Sequence, residues 1–174
     1  FKGYLHSDGY SGYHRLENKV ISVGCWAHLR RKFNDALQNI APTGATSKSL
    51  AQKGYTLSNQ IFQLEKRWLK LSPEERLVKR KEEAEPKVSN FFKWINDNES
   101  MILPKSLLGK AFTYAANQER RLRNYLLDGR LEITNNRAER GIKPFVIGRK
   151  NWLFANTPRG AEASAIIYSI VETA

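Results

Sequence analysis

The sequence predicts an α/β chain that is predominantly α by residue count, and three observations predict it. Two short β-like runs open the chain. A long stretch from about 26 to 127 then carries apolar residues at helical spacing, and one more β-like run precedes two further helical segments. The predicted order is strand, strand, a long all-helical insertion, strand and two helices. In domain terms this gives regions 1–40, 41–129 and 130–174.

Phe1 to Ser7 alternates loosely between apolar and polar residues, and Asp8-Gly9 supplies a turn signal directly after it. Because the chain begins at Phe1, already inside a strand-like run, we expect it to be part of a larger protein. Val20-Ile21-Ser22-Val23-Gly24-Cys25 is short and β-branched, which suits a buried second strand. From Trp26 the spacing of Ala27, Arg30, Phe33 and Leu37 is helical, ending at Ala41-Pro42-Thr43-Gly44. A helix from about Ser49 to Leu71 carries the stripe Leu57, Ile61, Leu64, Trp68 and Leu71, better explained as core than as a binding box.

Ser72-Pro73-Glu74-Glu75 has the residues of a capping box with proline at the first helical position, and Pro86 is expected to kink or split the helix it opens. The nearly all-charged run from Arg76 to Glu85 predicts a solvated face. A further helix from about Lys105 to Leu127 buries Ala111, Tyr114, Ala115, Leu122 and Leu126 and stops at Asp128-Gly129. Leu131-Glu132-Ile133 is the third strand-like run. A helix opens at Thr134 or Asn135, and Pro158 to Ala174 forms the terminal helix.

With 174 residues, 41% of them hydrophobic, the chain can bury a substantial core. Lys and Arg number 29 against 17 Asp and Glu, a formal net charge of +12, which points to a polyanionic partner. One cysteine excludes an internal disulfide. No stretch has the order of a signal peptide, and the apolar runs are far below the ~20 residues needed to cross a bilayer, so a cytoplasmic location is expected.

Ile133-Thr134-Asn135-Asn136-Arg137-Ala138-Glu139-Arg140 carries the most chemistry. It sets a carboxylate one turn into a helix, with Asn135 and Asn136 four and three residues earlier on the expected same face. Flanked by Arg137, Arg140 and Lys143, Glu139 suits a site that holds a hard cation beside phosphate. The same spacing also fits an ordinary surface pair of Glu139 with Lys143, and Asp8 fits an ordinary turn aspartate. Strand ends are, however, where open sheets place their sites.

Arg30, Arg31, Lys32, Arg149 and Lys150 stand near Trp26, Phe33 and Trp152 in sequence, a mixture that suits phosphate neutralisation with stacking. Cys25 and His28 have a C-x-x-H spacing that, with His6 or His14, approaches a zinc site. One cysteine and three histidines make a closed four-ligand site hard to complete. The better reading is a buried cysteine with His28 hydrogen-bonded near the active site or contacting DNA.

Four blocks, His6 to Tyr13, Gly24 to Phe33, Asn135 to Arg140 and Gly148 to Phe154, together resemble the transposases of the insertion sequence 66 family, in the family's order. The resemblance implies an RNase H-like catalytic core of the DDE type, interrupted by a helical insertion. Asp8 would match the family's second acidic residue and Glu139 its third; the first would lie outside this chain. It further implies two Mg²⁺ or Mn²⁺ ions about 3.5–4 Å apart, phosphodiester hydrolysis and strand transfer, DNA as partner in the form of element ends and target, and a possible homodimer. Where the family usually has an aspartate before the paired asparagines, this chain has Thr134, which removes a negative charge but can still cap a helix.

The expected function is thus that of a DNA transposase catalytic-domain fragment, inactive alone, with Asp8 and Glu139 catalytic and metal-binding. Arg30, Arg31, Lys32, Arg140, Lys143, Arg149, Lys150 and Trp152 would contact DNA, with Asn135, Asn136 and His28 in support. The alternatives are a non-catalytic DNA-binding remnant and a helical protein-interaction module over residues 49–127.

Overall fold

β1 (Gly3–Ser7) and β2 (Val20–Gly24) pair in parallel, with Gly3 opposite Val20 and Ser7 opposite Gly24. In this computed structural model the residues described are 2–16, 18–39, 45–148 and 157–173. They form these two strands, seven α-helices and several shorter turns. The chain divides into two units, residues 1–135 and 136–174. The first holds β1, β2 and five helices: α1 (Trp26–Asn39), α2 (Ala45–Arg67), α3 (Pro73–Lys79), α4 (Glu85–Asn98) and α5 (Leu107–Arg123). The second holds α6 (Asn136–Gly148) and α7 (Pro158–Thr173). No helix among the described residues is long and apolar enough to cross a membrane.

The first unit is built around aromatic side chains. Trp26 at the start of α1 and Phe33 at its middle meet Phe91, Phe92 and Trp94 of α4 and Phe112 of α5, and all but the slightly exposed Trp94 are essentially shut from solvent. Trp26 and Phe91 stand edge to face at 5.3 Å between centroids, Phe33 and Phe112 at 5.7 Å. Such pairs add about 0.5–1.5 kcal/mol beyond the area they bury. The Trp26 indole N–H donates to the Leu122 carbonyl at 2.9 Å, which ties the start of α1 to the end of α5. Trp26 and Phe33 are thus core residues, not stacking platforms for a nucleic acid: α1 turns both inward, and the basic residues between them outward or sideways.

α1 and α2 approach closely because Gly54 faces Phe33: a Cβ at Gly54 would overlap the Phe33 ring. α2 begins at Ala45 and ends at Arg67, earlier at both ends than the apolar stripe suggests. Its buried positions include Ile61, Leu64 and Trp68 as that stripe requires, although Trp68 lies just past the helix. The capping box at Ser72 forms as expected: the Ser72 hydroxyl accepts from Glu75 N–H at 3.2 Å and the Glu75 carboxylate accepts from Ser72 N–H at 2.9 Å.

Two local expectations fail, for one connected reason. Pro86 splits the helix through a single π-helical turn over Arg80–Ala84, which relieves the clash of the proline ring with the preceding turn. That turn carries Arg80 into the interior, so the charged run 76–85 is not a solvated face throughout. Arg80 is fully buried, with Nε and Nη2 donating to the two Glu65 carboxylate oxygens at 2.8 and 2.7 Å. Its Nη1 donates to the carbonyls of Tyr125 and Asp128 at 2.8 and 2.7 Å. Its Nη2 also donates to the Leu131 carbonyl at 2.7 Å.

Leu131-Glu132-Ile133 consequently forms no strand. The Leu131 carbonyl is taken by Arg80 and its N–H by the Asp128 carbonyl in a turn, so neither remains for a ladder. Ile133 reaches back to the start of α1, its carbonyl accepting from Trp26 N–H at 3.1 Å. The sheet therefore has two strands among the described residues, and the chain is mostly helical.

Candidate functional site

Asp8 follows the last residue of β1, at the C-terminal end of the parallel pair. The following turn requires Gly9, whose φ is +93°, a backbone region that side chains disfavour. A Cβ there would also meet the Gln118 amide nitrogen at 2.9 Å. Asp8 is exposed, and its Oδ1 accepts from Tyr10 N–H at 3.0 Å, an Asx-type turn.

α5 holds this strand end in place. Tyr114 Oη donates to the Asp8 carbonyl at 2.8 Å, and Gln118, buried and one turn further along α5, lies against Gly9. Arg121 in turn donates to Gln118 Oε1 at 3.0 Å. The Tyr114 phenol is pushed up from its ordinary value, first by burial and then by negative charge at Cys25 and Asp8, so at neutral pH it stays a proton donor toward the strand end. Tyr114 was expected only as core and Gln118 was not singled out at all. The signal that could have found them is the polar face of α5, where Lys110, Thr113, Tyr114, Asn117 and Gln118 recur at helical spacing.

The basic residues of α1 divide. Arg30 is half-buried, donates to Asn59 Oδ1 at 3.2 Å and stacks over the Phe62 ring at 4.1 Å, so it joins α1 to α2. Arg31 is exposed. Lys32 is half-buried, its ammonium 5.0 Å from the centre of the Tyr114 ring. Arg149, Lys150 and Trp152 lie outside the described residues.

Cys25 is buried at the junction of β2 and α1. Burial pushes its thiol up, but hydrogen bonds with His28 and with the backbone of Asn135 outweigh it and the net direction is down. Cys25 and His28 thus pair with each other. His6 places Nε2 3.0 Å from the Gly24 carbonyl, and its own value is lowered by burial, while the side chain of His14, the other zinc candidate, lies outside what is described. Among the described residues no group of three or more His, Cys, Asp or Glu is arranged to hold a metal. Asn135 is buried before α6 rather than on it, and its side-chain oxygen has no partner among the described residues.

In the second unit α6 places Asn136 and Glu139 three residues apart on one helix, with Glu139 half-buried and Arg140 and Lys143 exposed. Since α6 begins at Asn136, Asn135 rather than Thr134 occupies the residue before it. Asp8 and Glu139 belong to different units. Each carries its own carboxylate. That of Asp8 suits a hard cation: it is exposed, and only Oδ1 is engaged among the described residues.

No solved structure matches the chain significantly. Two proteins of Sinorhizobium fredii (strain NBRC 101917 / NGR234) are similar to it along nearly all of its length. The uncharacterized protein y4hP is 28% identical over 189 residues, covering 99% of this chain and 34% of the relative. The uncharacterized protein y4qI is 32% identical over 182 residues, covering 99% of this chain and 33% of the relative. The chain thus spans about a third of the length of the curated relatives it matches. Residues 1–163 match the transposase IS66 family, a span that takes in both Asp8 and Glu139, and the chain belongs to that family.

Proposed function

We propose that the protein containing this chain is a metal-dependent DNA transposase of the DDE type, and that the chain supplies two of its three catalytic acids, Asp8 and Glu139. The observation that carries this reading is the placement of Asp8, an exposed carboxylate at the C-terminal end of a parallel strand pair, braced from behind by Tyr114 and Gln118. Parallel strands with an acid at their end, followed by α1, fit part of an RNase H-like core, with α2 to α5 as the helical insertion.

Asp8, Glu139 and a third acid from elsewhere in the protein would hold a pair of Mg²⁺ or Mn²⁺ ions, which when bound supply Lewis-acid polarisation at the attacking and leaving oxygens of a phosphodiester. In the first step water forms a bond to phosphorus, the P–O3′ bond breaks, and the released 3′ oxygen takes a proton. In the second that 3′-OH attacks a phosphodiester of the target, forming one P–O bond as another breaks, with no external energy source required. The chain's residues contribute the rigid seat: Tyr114 fixes the Asp8 main chain and Gly9 makes the turn that leaves the carboxylate facing solvent. Arg140 and Lys143, exposed on the Glu139 helix, suit DNA phosphates.

The experiment is strand transfer by the intact protein with Mn²⁺ or Mg²⁺. Asp8→Ala and Glu139→Ala should each abolish it while DNA binding persists; unchanged transfer in either variant would sink the assignment. Thr134 and the net charge of +12 favour a second reading, a DNA-binding protein that no longer cleaves. Salt-sensitive DNA binding with no cleavage by the unmutated protein would select it.

A further inference from the structure

Beside Asp8 lies an open cleft of about 360 Å³, lined by Gly9 from the strand end, Lys32 from α1, and Lys110, Thr113, Tyr114, Asn117 and Gln118 from α5, with Pro104 at its margin. Among the described residues no acidic side chain lines it. Among the described residues neither Lys32 nor Lys110 has a carboxylate partner. Other basic side chains in the same unit do, including Arg67 with Glu83, Lys79 with Glu82, Lys93 with Asp97 and Arg123 with Glu119. Two lysines that line one concave surface without a carboxylate partner give it positive charge, which an anion would offset.

We propose that this cleft is a phosphodiester-binding subsite that holds the DNA strand next to the scissile position. The inference deepens the transposase reading and rests on it. Lys32 supplies charge from a position limited by the Tyr114 ring beneath it, so little rotamer freedom is lost on binding. Lys110 supplies the second charge from α5, while Thr113 and Asn117, three and seven residues further along, offer a hydroxyl and an amide to phosphate or sugar oxygens. Tyr114 couples subsite to acid: one side chain carries the Lys32 contact on its ring and the Asp8 contact on its hydroxyl. A strand seated on the lysines would therefore run directly past Asp8. Lining the cleft from α5 gives the helical insertion a role in substrate positioning.

The test uses the full-length protein, a fluorescent DNA single strand of mixed sequence, and EDTA to exclude divalent cations, with affinity followed by anisotropy across a salt series. The pair Lys32→Gln with Lys110→Gln should weaken binding roughly tenfold to a hundredfold at about 0.1 M salt and reduce the salt slope by about 1.4. The charge-matched pair Lys81→Gln with Lys87→Gln, on exposed positions away from the cleft, should change affinity less than about threefold. Lys32→Arg with Lys110→Arg should keep binding near that of the unmutated protein. Equal losses in the two glutamine pairs, no loss in the cleft pair, or a loss in the arginine pair as large as in the glutamine pair would each overturn the proposal. Thermal melting shows that each variant is folded.

The parent reading is tested separately by strand transfer in Asp8→Ala. Unchanged DNA binding in the cleft pair, alongside transfer lost in Asp8→Ala, would remove the subsite alone. Transfer retained in Asp8→Ala would remove the acid's role and leave the binding result standing.

Discussion

Arg80 shows how far one residue departs from what its neighbours suggest. It sits in a charged run, yet it is fully buried, and its guanidinium satisfies Glu65 and three carbonyls. Removing a buried charge strands its partner, so Arg80→Met should cost about 3–5 kcal/mol in urea denaturation. Breaking the exposed Lys93–Asp97 pair by Lys93→Ala should cost under about 0.5 kcal/mol. Cys25 provides a pH-dependent case. Burial raises its thiol, hydrogen bonds with His28 and the Asn135 backbone lower it further than burial raises it, and the folded value lies below that of a free thiol. Its ionisation therefore favours the folded state: the contribution is complete above the ordinary thiol value and is lost as pH falls through the folded one. His28→Ala should move the thiolate absorbance titration upward; no movement would show that His28 does not lower the thiol.

At the scale of elements, a start marked by its own capping residues was legible, and a contact with one particular partner was not. Ser72, Pro73 and Glu75 announce the start of α3 because each satisfies a local backbone need, independent of the rest of the chain. Ser72→Ala should lower stability by about 1 kcal/mol by thermal melting. Gly54 is the opposite case. In an isolated helix Gly→Ala is favourable by about 1 kcal/mol. Here the new Cβ would overlap the buried Phe33 ring, so Gly54→Ala should destabilise by about 1–3 kcal/mol. A stabilised variant would mean that α1 and α2 can separate without loss. Leu131 to Ile133 was expected to form a strand because its residue types favour one. Arg80, 51 residues earlier than Leu131, took the carbonyl a ladder would have used.

For the whole molecule, the charge of +12 and the aromatic content make different predictions. The charge predicts that DNA binding by the intact protein falls linearly with the logarithm of salt concentration, by about 0.9 per phosphate neutralised on a duplex. A flat salt dependence would exclude a phosphate-driven interface. Trp26, Phe33, Phe91, Phe92, Trp94 and Phe112 went to the core of residues 1–135, so Trp26 and Phe33 are unavailable to a nucleic acid however close they lie to Arg30 and Lys32 in sequence. Neighbouring residues on a helix point in different directions, and α1 puts its aromatics inside and Lys32 into a cleft.

By itself the sequence determined the two N-terminal strands, the run of helices after Trp26, the capping box at Ser72, the break at Pro86 and the family, because each rests on local periodicity or on ordered short blocks. Asp8 was legible as a strand-end acid for the same reason. Only the tertiary structure decided what surrounds it. Tyr114 and Gln118 lie more than 100 residues from Asp8 in the chain and reach it because α5 packs on β2 and α1. The fate of Arg80, the loss of the third strand and the cleft shared by Lys32 and Lys110 likewise depend on contacts between segments far apart in sequence. No local pattern encodes a contact of that kind: burial and pairing energies are set by the partner that arrives, and the partner is chosen by the packing of the whole unit.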